Sequence, residues 1–199
     1  MKTFEDIKKS VSIKPLQPGG SNFKSHKLKQ ISLSKLKYIP TIGGVIFCLL
    51  FLVIGLVVLG IGLKPLINSV NIKNVNWFLI VFGTVFSIVG GSILYIMCKP
   101  RVFSKQENSF YKSYLVSNSK DKIRLNSIIA IQIIGETINS DNGSYGSFEL
   151  NLVLNDGTRQ NVVDHGNIKS IINDAYVISK FLNVPIWHAE SNKTKLLTK

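Results

Sequence analysis

The sequence predicts a membrane-spanning helical hairpin joined to an α+β domain rich in antiparallel strands. The hairpin is predicted by two stretches, 40–63 and 77–98, that contain no Asp, Glu, Lys, Arg or His. The domain is predicted by residues 99–189, where the pattern changes to strand alternation and then to an apolar helical stripe. A chain of 199 residues has room for one such domain and its anchor.

Both apolar stretches are long enough to cross a membrane. As helices, segments of 24 and 22 residues reach roughly 36 and 33 Å, against a hydrocarbon core of about 30 Å. Uninterrupted apolar runs of this length are rare in small soluble domains. A cleaved signal peptide fits poorly, because the first run begins at residue 40 and exceeds the length of a signal's apolar core.

Basic residues lie outside the hairpin rather than in its connector. Residues 1–39 hold nine Lys and two acids, whereas the connector 64–76 holds two lysines and no acid. Lys and Arg near span ends favour the cytoplasmic side, so we expect a multi-pass protein of the inner (plasma) membrane with both termini cytoplasmic and 64–76 outside. The membrane-flanking residues are Lys35, Lys37, Lys99 and Arg101.

This topology accounts for most of the formal net charge of +13. We therefore expect the lipid bilayer as a partner and no nucleic acid. Lysines next to a span attract anionic lipid at about 1 kcal/mol each. Contact with anionic head groups is accordingly expected, with a lipid-sensing role as an alternative function.

The spans lack the groups that ion transport requires, since neither contains an ionisable side chain. Their most distinctive feature is a stripe of small residues four apart, at Gly83, Ser87 and Gly91, which lets helix backbones approach closely. The stripe fits packing inside the hairpin, and it also fits a homo-oligomer or a partner helix. The two cysteines predict neither a disulfide nor a metal site.

Strand alternation and turn residues predict the elements outside the spans. An N-terminal hairpin is expected over 26–41, at the junction of the tail 1–39 with the first span, and whether it joins the C-terminal sheet is left open by the sequence. The expected strands are 101–106, 110–116, a short strand followed by one extended strand within 123–138, then 148–154 and 158–164, with a polar loop at 139–147 and a tight turn at Asn155-Asp156-Gly157. From Ile168 apolar residues recur every three or four positions, which predicts a helix capped by Asp164 or Asn167 and ended by 183–185, before a basic tail at 190–199.

This order of elements, with the phrases "SYGSFELNLVLNDG" and "NVVDHGN", resembles the pleckstrin-homology-like (PH-like) domains of small bacterial two-span membrane proteins. The resemblance covers about residues 99–189. It implies an antiparallel sheet or barrel closed by a C-terminal amphipathic helix, a bacterial source, and protein or lipid binding rather than catalysis. No phosphoinositide-binding motif can be carried over.

Asp164-His165 is the one pair that suggests chemistry. Neighbouring strand residues point to opposite faces, so the two side chains are not expected to act together. No catalytic or phosphate-binding motif accompanies them. We therefore predict no catalytic, cofactor-binding or metal-binding residues, and interpret the pair as a strand-to-helix corner. The alternative is a binding rim formed by Arg159, Asp164, His165 and Tyr145.

The expected function is that of a non-enzymatic membrane adaptor or self-assembling scaffold that presents a PH-like binding module to a protein partner or to copies of itself. Two alternatives remain open. One is an enzyme or enzyme subunit at the membrane surface, with His165, Asp164 and Arg159 as its site cluster. The other is a lipid sensor that uses the basic N-terminal residues.

Overall fold

The computed structural model describes residues 4–67, 75–114, 122–140 and 143–189. The chain forms two compact units. One is the continuous segment Pro40–Lys99, and the other combines Met1–Ile39 with Pro100–Lys199.

The first unit consists of two long apolar helices. Before them come a short helix α1 (Phe4–Ser10) and two strands described below; the long helices are α2 (Ile42–Ile67) and α3 (Trp77–Cys98). Their most apolar windows have mean hydropathies of 3.1 and 2.2, and only 17% and 11% of those windows are buried. Both helices are long and apolar enough to cross a membrane, and their exposed apolar side chains are unlike those of soluble core helices.

Helix α3 has the bounds predicted from its apolar run, whereas α2 extends four residues beyond the predicted end. At the start of α3 the Asn76 side chain accepts a hydrogen bond from the Leu79 N–H at 3.3 Å. Helix α2 includes Pro65 near its C-terminal end. Residues 68–74 of the predicted connector lie outside the described residues.

Small residues spaced seven apart bring α2 and α3 together. On α2, Cys48, Gly55 and Gly62 are buried, and on α3, Gly83 and Gly90 are buried. A Cβ on Gly90 would lie 2.6 Å from the Leu52 nitrogen, so the backbones leave no room for a side chain there. A repeat of seven keeps one seam facing the partner helix, as in left-handed helix pairs.

The second unit contains two sheets and one long helix, which confirms the α+β class with antiparallel sheets. The first sheet has the order β1-β2-β3-β4-β5 and the second the order β8-β7-β6-β9. The strands are β1 (His26–Ser32), β2 (Lys35–Pro40), β3 (Arg101–Ser104), β4 (Ser109–Lys112), β5 (Ile123–Arg124), β6 (Ile128–Ser140), β7 (Gly143–Leu154), β8 (Arg159–His165) and β9 (Ile186–Ala189), with helix α4 (Ile168–Leu182) before β9.

Within the described residues neither sheet closes into a barrel, so the barrel form of the expectation is not found. Strand β9 also departs from an antiparallel arrangement, because it pairs parallel to β6 with Ile131 opposite Ile186. A four-residue strand carries too short a pattern to be predicted from sequence.

The N-terminal hairpin adds two strands to the first sheet. Strand β2 pairs antiparallel to β3, with Leu36 opposite Phe103 and Tyr38 opposite Arg101. Leu36 and Tyr38 alternate into the core and are 1% and 0% exposed. The residues before the first long helix are thereby paired with those after the second.

One apolar core joins both sheets to α4. Buried Ile171, Ala175 and Ile178 form the stripe of α4 that was predicted from spacing. Asn167 caps the helix by accepting the Ser170 N–H at 3.0 Å. The helix ends at Leu182, and the following residue, Asn183, caps it with a left-handed φ of 58°. The core also contains Leu36, Phe103, Phe110, Ile131, Ile133, Phe148, Leu150, Leu152 and Val163.

The segment 139–147, expected as a loop, is mostly strand. Strand β6 runs to Ser140 and β7 starts at Gly143, so the two form one long hairpin. Serine, asparagine and glycine are poor strand formers, and cross-strand pairing outweighs that preference here. Strands β3 and β4 are shorter than predicted, and the predicted positions 115–116 and the tail 190–199 lie outside the described residues.

Candidate binding face

The second sheet has a polar face turned away from the core, here called the outer face. Strand alternation explains it, because Phe148, Leu150 and Leu152 point into the core while the residues between them point outward. The outer face is formed by Gln132, Glu136, Tyr145, Ser147, Glu149, Asn151, Arg159, Asn161 and Asp164.

These polar side chains are unusually well buried for a sheet surface. Glu149 is 3% exposed, Asn151 0% and Gln132 3%. Burial of a carboxylate is costly unless donors surround it. The cover is part of the chain itself, namely residues 12–21, here called the N-terminal strap.

Glu149 makes the central contact with the strap. Its Oε2 accepts the Leu16 N–H at 2.9 Å, and its Oε1 accepts the Gln17 N–H at 2.5 Å. The Asn151 amide also donates to Oε2, at 2.9 Å. Charge-assisted bonds of this type are the stronger ones, and they compensate the buried carboxylate.

Further side chains hold the strap on both sides of Glu149, and each contacts a main-chain atom. Arg159 Nη1 donates to the Lys14 carbonyl oxygen at 2.9 Å. The other contacts join Gln132 Nε2 to the Ser12 carbonyl at 3.1 Å, the Gly19 N–H to Glu136 Oε2 at 3.3 Å, Tyr145 Oη to the Gly20 carbonyl at 3.3 Å, and Ser147 Oγ to the Ser21 carbonyl at 3.2 Å.

Glycine is required where the strap lies closest to the sheet. A Cβ on Gly20 would lie 2.6 Å from Asp164 Oδ2 and would also overlap Ser147 Oγ. Gly166 plays the reciprocal role, because a Cβ there would lie 2.5 Å from the Asn22 carbonyl oxygen. The glycine of the strand-to-helix corner thus allows this close approach in addition to the bend of the chain there.

A small apolar cluster fixes the start of the strap. Ile7 of α1 and Val11 are buried against Ala130, Val153 and Trp187 at one end of the second sheet. Neither α1 nor the strap was predicted. The apolar spacing of Ile7 and Val11, four residues apart, is the signal that could have revealed the helix.

Three of the four predicted rim residues meet at the outer face. Arg159, Asp164 and Tyr145 all face the strap. His165 lies on the opposite face, is 0% exposed, and accepts the Asn167 N–H on Nδ1 at 3.2 Å. The structure therefore separates Asp164 from His165, as strand geometry predicts.

The two neighbours also titrate differently. Burial raises the pKa of Asp164, and Glu149 and Glu136 add to the rise, while the bond from Ser147 Oγ at 2.6 Å opposes it. Burial, with a smaller contribution from Lys24, lowers the pKa of His165 to about 4. His165 is accordingly a neutral core residue at neutral pH.

A buried polar group in the core was not predicted from the sequence. Asp174, 4% exposed, faces Tyr38 and lies within the apolar stripe of α4. Burial and then the Asp174 carboxylate raise the pKa of Tyr38, and burial lowers the pKa of Arg101. The sequence did carry a signal for this burial, since an acid three residues after Ile171 and four before Ile178 lies on the same face of the helix as these apolar residues. Arg101, predicted as a membrane-flanking residue, is half-buried opposite Tyr38.

The predicted small-residue stripe of α3 divides between two sides of the helix. Gly83 and Ser87 lie against α2, with Ser87 directly opposite Gly55. Gly91 points away, since the nearest atom to a Cβ there would be Leu52 Cδ1 at 3.9 Å. Gly90, which the sequence interpretation omitted, occupies the contact.

The remaining flanking residues have ordinary structural positions. Lys35 and Lys37 are half-buried in β2 opposite Ser104 and Val102. The Lys99 N–H bonds to the Ile96 carbonyl at 3.2 Å and ends α3.

Comparisons with known proteins leave the site to be interpreted from its geometry. No protein-family model, curated protein or solved structure matches the chain. Among the described residues, no group of three or more His, Cys, Asp or Glu side chains is arranged to hold a metal ion.

Proposed function

We propose that this protein is a non-enzymatic membrane adaptor whose outer face binds extended polypeptide. It spans the inner membrane of a bacterium with α2 and α3, and presents its sheet unit, a PH-like module, at the cytoplasmic face. The bilayer and anionic head groups are its lipid partners, and an extended segment of protein is its ligand.

The main-chain contacts of the outer face are the observation that carries this proposal. Side chains of three strands bind carbonyl and N–H groups of the strap, while strap side chains such as Ile13 and Leu16 stay 49% and 39% exposed. A surface that contacts mainly main-chain groups places few demands on the side chains of the segment it binds, apart from the glycine beside Asp164. Catalysis would need a nucleophile and base together, and Asp164 and His165 lie on opposite faces.

The strand pairing of the sheet unit supports a topology with both termini on one side. Strand β2 ends at Pro40, two residues before α2, and β3 begins at Arg101, three residues after α3. These strands are neighbours, with Tyr38 opposite Arg101. Both ends of the helical segment therefore connect to the same pair of adjacent strands, β2 and β3, as a two-span hairpin requires.

The proposal is tested by photo-cross-linking in native membranes. A photoreactive residue replaces Leu16 in the full chain, and the matched control carries it at Lys29, an exposed residue of β1. We expect the protein to resist carbonate extraction, and protein adducts to form at position 16 but not at 29. Release by carbonate, or identical adducts at both positions, would contradict the proposal.

A further inference from the structure

We infer that the outer face binds the N-terminal strap of a second copy, so that copies associate by exchanging this segment. The inference rests on the proposed function, because it names the extended segment that the outer face receives. An exchanged strap makes the same contacts in another molecule that it makes in its own, and exchange of an identical element is a low-cost route to dimers.

The geometry of the face restricts its occupant to a segment like the strap. The occupant must present two successive N–H groups to Glu149 and, three residues after the second, a residue without a side chain beside Asp164. It must also bring an apolar residue to the pocket of Ala130, Val153 and Trp187. A second copy supplies all three at the correct spacing.

Charge also favours this occupant. Residues 4–24 contain four lysines and two acids, whereas the outer face carries three carboxylates and one arginine. A basic segment meeting an acidic face associates faster and excludes acidic competitors.

Features of the strap lower the free-energy cost of its exchange between molecules. Pro15 and Pro18 restrict its backbone before binding, so less conformational entropy is lost on docking. Only residues 22–25 join the strap to β1, and short connections of this kind invite exchange of the segment that they hold. Copies confined to one membrane meet at high effective concentration.

The test uses two complementary variants of the full chain in detergent, each with its own tag. Gly20→Leu keeps the outer face but blocks its own strap, because Asp164 and Ser147 occupy the space of the new side chain. Glu149→Ala keeps the strap but removes its main acceptor. When mixed, the first variant supplies a vacant face and the second a free strap.

We expect the mixed pair to co-purify about tenfold more than either variant with itself. An excess of a synthetic peptide of residues 4–24 should abolish that co-purification, and the same peptide carrying Gly20→Leu should not. Gln17→Leu is the matched control for the first variant, since it adds the same side chain at an exposed position and keeps the N–H.

A second blocked variant protects the test against misfolding of the first. Gln17→Pro removes one N–H donated to Glu149 and should replace Gly20→Leu in the mixed pair. If neither blocked variant associates with Glu149→Ala, exchange is overturned. Binding of the peptide without association of the copies overturns exchange too, and leaves a foreign segment as the occupant. Carbonate resistance and position-16 adducts would still support the adaptor function in either case.

Discussion

Asp164 and His165 show how adjacent residues of one strand enter different environments. Asp164 lies on the outer face beside the strap, and His165 is enclosed in the core. Burial acts on both, raising the pKa of the acid and lowering that of the base. In each case it disfavours the charged form.

The buried histidine predicts a loss of stability in acid. Between pH 6.5 and about 4 the unfolded chain binds a proton at residue 165 that the folded chain excludes, so the free energy of unfolding falls as pH falls. His165→Asn keeps an acceptor for the Asn167 N–H and removes this titration. Between pH 7 and 4.5 we expect the free energy of unfolding of wild type to fall by on the order of 1 kcal/mol more than that of the variant.

Thermal unfolding in detergent at both pH values measures the effect. The comparison isolates the effect of His165. Asp164 and Asp174 have raised pKa values, which change the stability with pH in the opposite direction, but both residues are present in wild type and variant. Equal shifts of Tm in wild type and variant would mean that His165 is protonated in the folded protein.

At the scale of elements, the helix pair depends on glycines at intervals of seven. Gly83 and Gly90 of α3 meet the backbone of α2, and Gly55 and Gly62 of α2 meet α3. Gly91 is adjacent to this seam but outside it. The structure therefore assigns most of the small-residue pattern to packing within the hairpin.

Leucine substitutions at neighbouring glycines test this packing. Gly90→Leu should separate the helices and cost about 1–3 kcal/mol through overpacking, whereas Gly91→Leu should leave the pair intact. Cys48 Sγ lies 3.4 Å from Met97 Sδ, so Met97→Cys with Cys98→Ala gives two thiols that a short thiol-reactive cross-linker can join. We expect Gly90→Leu to lower the yield of this cross-link. A similar loss with Gly91→Leu would show that the seam is wrongly placed.

Elements with a dense local pattern were predictable, and elements held by distant contacts were not. The bounds of α3 and the start of α4 follow from apolar runs, spacing and caps. The stripe of α3 was interpreted at intervals of four, which includes Gly91 and misses Gly90. The strap has no periodic pattern of apolar residues in its sequence. It is held by main-chain hydrogen bonds to residues more than 100 positions away. Arg159, Asp164 and Tyr145 were placed at one site, but its cover was not.

At the scale of the whole molecule, the sheet unit combines residues from both sides of the helical segment. Residues 1–39 and 100–199 form one compact unit around a shared core, with Pro40–Lys99 as the other. The unit is complete only after the second long helix has been synthesised. Folding of the sheet unit therefore cannot be completed before the second long helix has been made.

This organisation predicts the accessibility of single cysteines in cells. In a Cys48→Ala, Cys98→Ala background, Lys27→Cys and Lys122→Cys should react with a membrane-impermeant maleimide only after permeabilisation. Both positions are exposed on the sheet unit, and the proposed topology places that unit in the cytoplasm. Ser69→Cys, in the connector, should react in intact cells. Labelling of position 27 in intact cells would place the N-terminus outside and contradict the shared topology.

The main-chain contacts of the strap also bear on how this protein can change over generations. Because the outer face contacts carbonyl and N–H groups, substitutions at Ile13 or Leu16 leave the interface chemically unaltered. Gly19 and Gly20 are the exceptions, since Gly19 has a φ of 83° and a side chain at position 20 would collide with Asp164. The segment can therefore drift in sequence elsewhere while keeping its place, and its lineage would be traced by these two glycines and the carboxylates that face the strap rather than by overall similarity.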